Sequence, residues 1–440
     1  MARTLEIQPG GSLRGTPRIP GDKSISHRAV MFSAIARGTS RITGFLDSAD
    51  CLATLDAFSA MGVRHTREAA ALVVQGAGRD GLRQPGAPLD LGNSGTSMRL
   101  LSGLLAGQSF DSVLTGDASL SRRPMARVIE PLALMGAAIT ADNEGRAPLR
   151  IAGGQALRGI DYTPPVASAQ IKSCVLLAGL RAEGVIRINE PGVSRDHSER
   201  MLAAYGVDIV REGRSLSMTG GQPLEAVDVA VPADLSSAAF FLVGASIAPG
   251  SELKLSGVGV NPTRRGVIDI LLAMGADIRL INERDQAGEP VADIVVRHAP
   301  LHGIDIGSDQ VELAIDEFPA IFIAAACAYG TTRLTGAAEL RVKESDRIAV
   351  MADGLAALGV EVSVQPDGLS IVGCPQAASF SGGRIAGHGD HRIAMAFAVA
   401  ALRADAPVVI DDCEAVDTSF PGFAELAASV GLGINARPVP

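Results

Sequence analysis

The segment AMGADIRL at residues 273–280 contains the local pattern that decides the fold. An apolar, helix-like run ends at the glycine, and apolar and polar residues alternate after it. Glycine adopts positive φ at the C-terminus of a helix without steric cost, and alternation with a period of two is typical of a half-buried strand. The segment therefore predicts a helix that ends at Gly275 and is followed at once by a β-strand.

The same pattern occurs six times, which indicates an internal repeat. Its glycines recur at intervals of roughly seventy residues, at Gly62, Gly136, Gly206, Gly275, Gly359 and Gly431. Between them, a second strand-like stretch follows another glycine, or follows Ala406 in the last copy. Each copy is thus predicted to run helix, glycine, strand, loop, helix, glycine, strand. The sequence predicts an α/β fold of six such repeats, which divide naturally into two domains of three.

Length and composition limit the classes of protein that remain. A chain of 440 residues normally forms two domains. The formal net charge of −9, the aromatic content of 3% and the lack of Trp argue against nucleic acid as a partner. The five cysteines form no CxxC pair, and the start of the chain lacks the apolar stretch of a signal peptide, so we expect a cytoplasmic protein. The longest apolar runs, around residues 238–248 and 320–329, are too short to cross a bilayer, so no membrane partner is expected.

Small polar and charged residues precede the predicted helices in nearly every copy. They are Lys23-Ser24, Ser94-Gly95-Thr96, Ser168-Ala169-Gln170, Leu235-Ser236-Ser237, Asp316-Glu317 and Asp390-His391-Arg392 before the first helices, and Arg122-Arg123, Ser194-Arg195, Thr263-Arg264 and Lys343-Glu344 before the second. Small polar residues suit N-caps, but basic side chains oppose the positive end of the helix dipole. Arg and Lys at helix N-termini are explained if they surround phosphates or carboxylates. The pattern favours a site for small polyanionic substrates over solvated surface charge.

Other motifs give no support for a cofactor. His388 and His391 have HxxH spacing but no third ligand near them in sequence, so zinc is not expected. No GxGxxG or GxxxxGKS/T motif follows a predicted strand, so nucleotide binding is not expected either.

Eight segments occur in the order found in one known family. They are PGDKSISHR (20–28), LGNSGTSMR (91–99), RRPM (122–125), ASAQIK (167–172), SRDH (194–197), IDEFP (315–319), RVKESDR (341–347) and DHR (390–392). At these residues the whole chain resembles the enolpyruvylshikimate-phosphate synthases. The resemblance implies the enolpyruvyl transferase fold, an inside-out α/β barrel with two domains of three βαβαββ-like repeats hinged around a cleft. The first domain is expected at 21–232, and the second at 1–20 and 233–440.

The resemblance also implies a reaction that needs no metal or organic cofactor. The enolpyruvyl group of phosphoenolpyruvate passes to the 5-hydroxyl of shikimate 3-phosphate, on the shikimate pathway to the aromatic amino acids. A tetrahedral intermediate loses phosphate and a proton, which demands acid–base groups and a cationic cage. Asp316 is expected to handle the hydroxyl proton, and Glu344 and Lys23 are both candidates for the proton that C3 receives. A monomer is expected.

Two sets of binding residues follow from the matched segments. Phosphoenolpyruvate is expected to contact Lys23, Gly95, Arg123, Gln170, Arg347 and Arg392. Shikimate 3-phosphate is expected to contact Lys23, Ser24, Arg28, Ser168, Ala169, Gln170, Arg195, Asp316 and Lys343. Glyphosate, a phosphonate that occupies the phosphoenolpyruvate site in this family, is expected to inhibit at an intermediate level, with Gly95 as the deciding position. The chain departs from some members at Thr418, where they carry a lysine, and this removes one charge from the expected phosphate cage.

Two alternative functions are less well supported by the residues. The sister enzymes that transfer enolpyruvate to UDP-N-acetylglucosamine resemble this fold, but they carry Lys-Asn near the start and usually a reactive cysteine in one loop. Here the early pair is Lys23-Ser24 and the loop reads DASLSRRP (117–124), without cysteine. A non-catalytic anion-binding protein on the same repeat is disfavoured by Asp316 and Glu344, because carboxylates beside an anion repel it.

Overall fold

Among the residues that the structure describes, the fold consists of six small sheets, three in each of two units. The structure is a computed structural model that describes residues 3–142 and 144–438. The first unit comprises Gly21–Val231 and Asp285–Glu289, and the second comprises Met1–Pro20, Pro232–Arg284 and Pro290–Pro440. The chain therefore passes between the units four times, and the short piece 285–289 belongs to the first unit although it lies in the second half of the sequence.

The sheets of both units share one topology. In each sheet, one strand lies parallel to a second, and this second strand is antiparallel to a third. The first unit has β3 (Ala36–Thr43), β4 (Arg64–Glu68), β5 (Ala71–Ala77), β14 (Leu224–Glu225) and β15 (Val229–Ala230) in one sheet, β6 (Leu89–Asp90), β7 (Ser112–Thr115), β8 (Ala138–Thr140) and β9 (Leu149–Ala152) in another, and β10 (Asp161–Tyr162), β11 (Val185–Asn189), β12 (Ile209–Glu212) and β13 (Ser215–Thr219) in a third.

The second unit repeats this arrangement, and two of its sheets include strands from the start of the chain. They contain β1 (Arg3–Ile7), β23 (Gly383–Ala386), β24 (Val408–Asp411) and β25 (Ile434–Pro438); β2 (Arg14–Gly15), β16 (Glu252–Gly259), β17 (Asp277–Gln286) and β18 (Glu289–Arg297); and β19 (Asp305–Ile306), β20 (Thr331–Leu334), β21 (Val362–Gln365) and β22 (Gly368–Val372). The N-terminal strands thus complete sheets whose other strands come from much later in the chain.

Each repeat contributes two main helices, and shorter helices lie between some of them. The first unit has α1 (Lys23–Ile35), α2 (Ala49–Ala60), α3 (Gly95–Ala106), α4 (Ala118–Ser121), α5 (Ala126–Leu134), α6 (Ala169–Gly179) and α7 (His197–Ala204). The second has α8 (Leu235–Ile247), α9 (Gly266–Ala273), α10 (Ser308–Ala314), α11 (Phe318–Ala326), α12 (Arg347–Ala357), α13 (His391–Ala400), α14 (Ala415–Ser419) and α15 (Phe423–Ser429), with 3-10 turns at Ala338–Val342 and Ala401–Arg403. The short helices α4, α10 and α14 are additions that the repeat pattern did not predict.

The first helix of each repeat lies in the core of its unit. In the second unit, every residue of α8 and α11 is buried, and these helices pack against each other and against α13. In the first unit, α3 packs against α6 and α1. Apolar residues all round a helix suit such a position, whereas surface helices show one apolar stripe. The N-termini of these six central helices carry most of the candidate site residues.

The repeat glycines adopt the conformation that the sequence predicted. The backbone φ angles are +90° at Gly62, +97° at Gly136, +87° at Gly206, +97° at Gly275, +85° at Gly359 and +114° at Gly431. Each glycine lies two residues after the end of the second helix of its repeat, where positive φ ends the helix and redirects the chain. The prediction of an α/β fold with two sets of three repeats is confirmed.

Candidate functional site

The N-terminus of α3 brings several candidate residues of the first unit together. Ser94 caps this helix by accepting a hydrogen bond from the amide of Ser97, so Gly95 is its first residue. An added Cβ at Gly95 would lie 3.0 Å from Nη1 of Arg99 and 3.1 Å from Nη1 of Arg123. Arg99 Nη1 also donates to Oε1 of Gln170 over 2.7 Å. The guanidinium groups of Arg99 and Arg123 thus lie close to Gly95, which has no side chain, and Gln170 lies beside Arg99.

Lys23 lies at the start of α1, and a carboxylate holds it. Its Nζ is 2.5 Å from Oδ2 of Asp50, whose side chain is 9% exposed, while the side chain of Lys23 is 27% exposed. Asp22 caps the same helix and accepts a hydrogen bond from the amide of Ile25. Asp50 therefore fixes the position of the ammonium group, and the side chain of Lys23 as a whole remains partly exposed.

Arg28 lies one turn further along α1 and is almost completely buried. Its Nη1 donates to the main-chain oxygen of Ser24 over 2.9 Å, its Nε to Ser198 Oγ over 2.7 Å and its Nη2 to Ser173 Oγ over 2.9 Å. Burial lowers its pKa to about 10, although Glu199 and other carboxylates oppose the shift. Arg28 therefore remains protonated at neutral pH, and it connects α1 to α6 and α7.

Ser168, Ala169 and Arg195 lie at the N-termini of α6 and α7. Ser168 caps α6 by accepting from the amide of Ile171, and Ala169 is the first residue of that helix. Arg195 is half-buried in the loop before α7, and its charge contributes to the lowered pKa of Arg28. The candidate cations Arg28 and Arg195 of the first unit are thus close enough to repel each other.

In the second unit, three carboxylates surround the guanidinium of Arg347, which is 1% exposed. Its Nη2 lies 2.8 Å from Oε2 of Glu344, its Nη1 3.3 Å from Oδ1 of Asp316 and its Nε 2.9 Å from Oδ2 of Asp390. Burial alone would lower the pKa of Arg347, but Asp390, Glu344 and Asp316 outweigh it and raise the pKa. The two expected catalytic carboxylates, Asp316 and Glu344, are therefore held on one permanently charged group.

Arg392 and Lys343 lie near this cluster in the chain. Arg392 Nη1 donates to the main-chain oxygen of Asp316 over 2.9 Å. Asp390 caps α13 by accepting from the amide of Arg392 over 3.0 Å, and burial and the neighbouring Arg347 act in opposite directions on its pKa, with a net lowering. Lys343 ends the 3-10 turn that precedes α12 and is half-buried. Arg392, on α13, is thus in direct contact with Asp316, which lies in the turn between α10 and α11.

Four residues at these clusters were not among the catalytic or binding residues expected from the sequence. Asp50 holds Lys23, Arg99 holds Gln170, Asp390 holds Arg347, and Glu317 lies 3.5 Å from Arg392. Three of them fall inside the matched segments, so the signal was present, but a segment does not say which of its side chains meet. Asp50 lies outside every segment, and its contact with Lys23 depends on the packing of α2 against α1.

Two further expectations concern a metal and the phosphate cage. The described residues contain no group of three or more His, Cys, Asp or Glu side chains that could hold a metal ion. Thr418 lies on the short helix α14, where its hydroxyl donates to the main-chain oxygen of Ala415 over 2.7 Å.

Among the described helices, none is long and apolar enough to cross a membrane.

The repeated fold and the two clusters of cations and carboxylates suit one class of protein, an α/β enzyme that acts on small anions. The family model described as EPSP synthase (3-phosphoshikimate 1-carboxyvinyltransferase) matches residues 7–426. The chain belongs to the EPSP synthase family, and its activity is that of a 3-phosphoshikimate 1-carboxyvinyltransferase. The predictions of family, fold and enzymatic activity are confirmed.

Individual relatives agree over nearly the full length. The 3-phosphoshikimate 1-carboxyvinyltransferases of Alkalilimnicola ehrlichii and Halorhodospira halophila are each 62% identical to this chain, over 98% of it and 96% of their own length. A solved structure of EPSP synthase from Acinetobacter baumannii has a TM-score of 0.91 and 52% identity, with 100% of both chains covered.

Proposed function

We propose that the enzyme transfers the enolpyruvyl group of phosphoenolpyruvate to the 5-hydroxyl of shikimate 3-phosphate through an acid–base pair held on Arg347. The observation that carries the proposal is that Glu344 and Asp316 contact one buried guanidinium. Asp316 accepts the proton of the attacking hydroxyl, and Glu344 or Lys23 delivers a proton to C3. The tetrahedral adduct then expels phosphate and loses a proton from the former C3 methyl group, which restores the double bond.

Cations, small polar residues and main-chain groups of the matched segments are proposed to bind the anionic groups of the substrates. The proposed phosphoenolpyruvate ligands are Lys23, Gly95, Arg123, Gln170, Arg347 and Arg392, and the proposed shikimate 3-phosphate ligands are Lys23, Ser24, Arg28, Ser168, Ala169, Gln170, Arg195, Asp316 and Lys343. Guanidinium groups suit this role because they stay charged and bind carboxylate and phosphate in a bidentate manner. The two enolpyruvyl-transferase domains are proposed to be 21–232 and 1–20 with 233–440, bounds that differ from those of the two units at residue 232 and at 285–289.

Phosphate release from phosphoenolpyruvate tests the proposed acceptor. Phosphate release is expected when shikimate 3-phosphate is the acceptor and not when UDP-N-acetylglucosamine is. Release with UDP-N-acetylglucosamine but not with shikimate 3-phosphate would contradict the proposal. Glu344→Gln should lower kcat by roughly 10²–10⁴, whereas Glu361→Gln, at an exposed carboxylate of the same unit, should leave it unchanged.

A second variant, Lys23→Met, tests whether Lys23 also protonates C3 or whether this role belongs to Glu344. If Lys23 only binds phosphoenolpyruvate, Lys23→Met raises KM and the rate recovers at saturating substrate. If Lys23 also protonates C3, the loss persists in kcat.

The enzyme is further proposed to be a cytoplasmic monomer without nucleic-acid or membrane partners. The five cysteines form no disulfide, and four of them are buried, which suits a reducing compartment. Light scattering should give the mass of one chain, 45.2 kDa, and a value near twice that would contradict the monomer.

A further inference from the structure

Glu317, the neighbour of Asp316, is a buried carboxylate that the proposed mechanism does not use. It precedes α11 and is 1% exposed. Its Oε1 accepts a hydrogen bond from the hydroxyl of Ser236 and lies 3.5 Å from Nη1 of Arg392. Its Oε2 is buried, and among the described residues it has no hydrogen-bond partner. Among the described residues, Oε1 of Glu317 therefore contacts both Ser236 and Arg392, whereas Oε2 has no hydrogen-bond partner.

The contacts of Glu317 belong to a buried polar chain across the N-termini of three central helices. Ser236 lies on α8, Glu317 immediately before α11 and Arg392 on α13. Behind Ser236, Arg264 Nη2 donates to Ser236 Oγ over 2.6 Å and to Asp234 Oδ1 over 2.9 Å. Asp234 in turn caps α8. The chain thus alternates in charge from Asp234 to Arg392.

The stability of the fold does not explain why the buried residue 317 carries a negative charge. Burying a carboxylate is costly unless its oxygens are paired, and an unsatisfied oxygen bears the full desolvation cost. A neutral side chain of similar size would keep the hydrogen bond to Ser236 without that cost. A negative charge at this point does, however, attract Arg392, whose Nη1 also donates to the main-chain oxygen of Asp316.

We infer that Glu317 is a positioning residue that orients the guanidinium of Arg392, and through it the segment of Asp316, for phosphoenolpyruvate. The inference rests on the proposed role of Arg392 as a phosphoenolpyruvate ligand. The charge of Glu317 holds Nη1 on the inner side, against the Asp316 carbonyl. The other guanidinium nitrogen then remains available to a substrate anion, and less ordering is needed when that anion binds.

The variant Glu317→Gln keeps the size of the side chain and removes its charge. KM for phosphoenolpyruvate is expected to rise about tenfold, the effect of weakening one charge-assisted contact, while KM for shikimate 3-phosphate changes less than about twofold. The melting temperature should not fall, because the variant no longer buries an unpaired charged oxygen. Equal changes in both KM values, or a lower melting temperature with unchanged KM, would overturn the inference and leave Glu317 a purely structural residue.

A double-mutant cycle with Arg392→Gln distinguishes the inference from the proposal on which it depends. If Glu317 acts through Arg392, Glu317→Gln has no further effect on KM in the Arg392→Gln background; additive effects would contradict this. If Arg392→Gln leaves KM for phosphoenolpyruvate unchanged, the proposed role of Arg392 fails, and the inference with it. If Arg392→Gln raises KM and Glu317→Gln does not, the inference alone fails. Glu361→Gln is the matched control and should behave as the unmodified enzyme.

Discussion

At the scale of single residues, some charged side chains are buried, although the burial of a charge does not by itself favour folding. Arg347 is buried among three carboxylates, and Arg28 is buried with most of its partners neutral hydroxyl groups. Buried charges are expensive, and well-packed apolar side chains often replace them without loss of stability. Such charges indicate function, so single substitutions are the most direct tests of the site.

Asp316→Asn tests the proposed base. The amide keeps the size of the carboxylate and can still meet Arg347, but it cannot accept a proton, so kcat should fall by roughly 10²–10⁴. The Kd of shikimate 3-phosphate should change far less. Steady-state phosphate release and calorimetric binding measure the two quantities. Asp353→Asn, at an exposed position on α12, is the control, and near-normal turnover of the Asp316 variant would remove it from the mechanism.

Gly95→Ala tests the proposed control of inhibitor access. The new methyl group would lie 3.0 Å from Nη1 of Arg99 and 3.1 Å from Nη1 of Arg123, closer than ordinary van der Waals contact. Because these atoms end flexible side chains, the fold should tolerate the methyl group while both guanidinium groups shift. Disturbing one hydrogen bond to a charged group costs about 1.5–3 kcal/mol, which corresponds to a roughly ten- to hundredfold weaker inhibition by glyphosate.

The matched control for that variant is Gly86→Ala, because a Cβ at Gly86 has open space around it. Competition against phosphoenolpyruvate gives the inhibition constant of each form. An unchanged constant in Gly95→Ala would show that this position does not govern glyphosate binding here.

His27 predicts a specific pH dependence of stability. It is fully buried on α1, with Nδ1 2.7 Å from Thr54 Oγ1, and burial lowers its pKa to about 3. An unfolded histidine titrates near 6.5, so below that pH the unfolded chain binds a proton that the folded chain does not. Its contribution therefore destabilises the fold by about 1.4 kcal/mol for each pH unit between about 6.5 and 3.

Urea unfolding at pH 6.5, 5.5 and 4.5 measures this slope. His27→Gln should flatten it by about 1.4 kcal/mol per pH unit, whatever its effect on absolute stability, and the exposed His388→Asn should not. Parallel curves for His27→Gln and the unmodified protein would contradict the prediction.

At the scale of elements, a buried ion cluster joins α6, the end of β11 and α7. Lys172 on α6 is 1% exposed, with Nζ 2.9 Å from Oε1 of Glu190 and 2.7 Å from Oε1 of Glu199. The partly exposed Arg211 reaches the same two carboxylates at 2.9 and 2.8 Å. The loop that carries Arg195 runs between Glu190 and Glu199, so this cluster fixes both of its ends.

Lys172→Met should therefore destabilise the first unit by about 3–5 kcal/mol, because it leaves two buried carboxylates without their inner cation. Lys254→Met is the control, since Lys254 is 42% exposed beside Asp293 and such pairs contribute about 0–1 kcal/mol. Urea unfolding measures both. Equal small effects in the two variants would show that Arg211 alone neutralises Glu190 and Glu199.

At the scale of the whole molecule, each unit has its own apolar core, and the cysteines lie mostly inside these cores. Cys51, Cys174, Cys327 and Cys413 are buried, and Cys374 is partly exposed. Burial raises the pKa of Cys51 to about 12 and that of Cys327 to about 11. Since the thiolate is the reactive form, the folded protein should protect four of its five thiols.

A disulfide reagent at pH 8 should thus titrate one thiol quickly in the native enzyme and all five after unfolding. Rapid reaction of two or more thiols in the native state would contradict the described burial. The variant Cys374→Ser should remove the fast phase and leave four slow thiols.

Local sequence determined the repeat and its boundaries. Gly275 ends α9 because only a residue without a Cβ adopts its φ of +97° cheaply, and Ser94, Ser168 and Asp390 cap their helices through amides two or three residues away. These effects act within one turn of chain, so they are visible in the sequence. The sequence also predicts an anion-binding site, because Arg and Lys at a helix N-terminus oppose the helix dipole unless an anion lies beside them, and this stays a prediction.

The pairing of side chains depended on the tertiary structure. Arg347 meets Asp390, 43 residues away, because α12 packs against α13, and Glu317 meets Ser236, 81 residues away, because α11 packs against α8. Asp50 and Lys23 likewise meet through the packing of α2 on α1. No local pattern encodes such contacts, since they arise from the burial of apolar faces distributed over the whole chain. The sequence by itself therefore determined the repeat and the kind of chemistry, and the packing decided which charges hold one another.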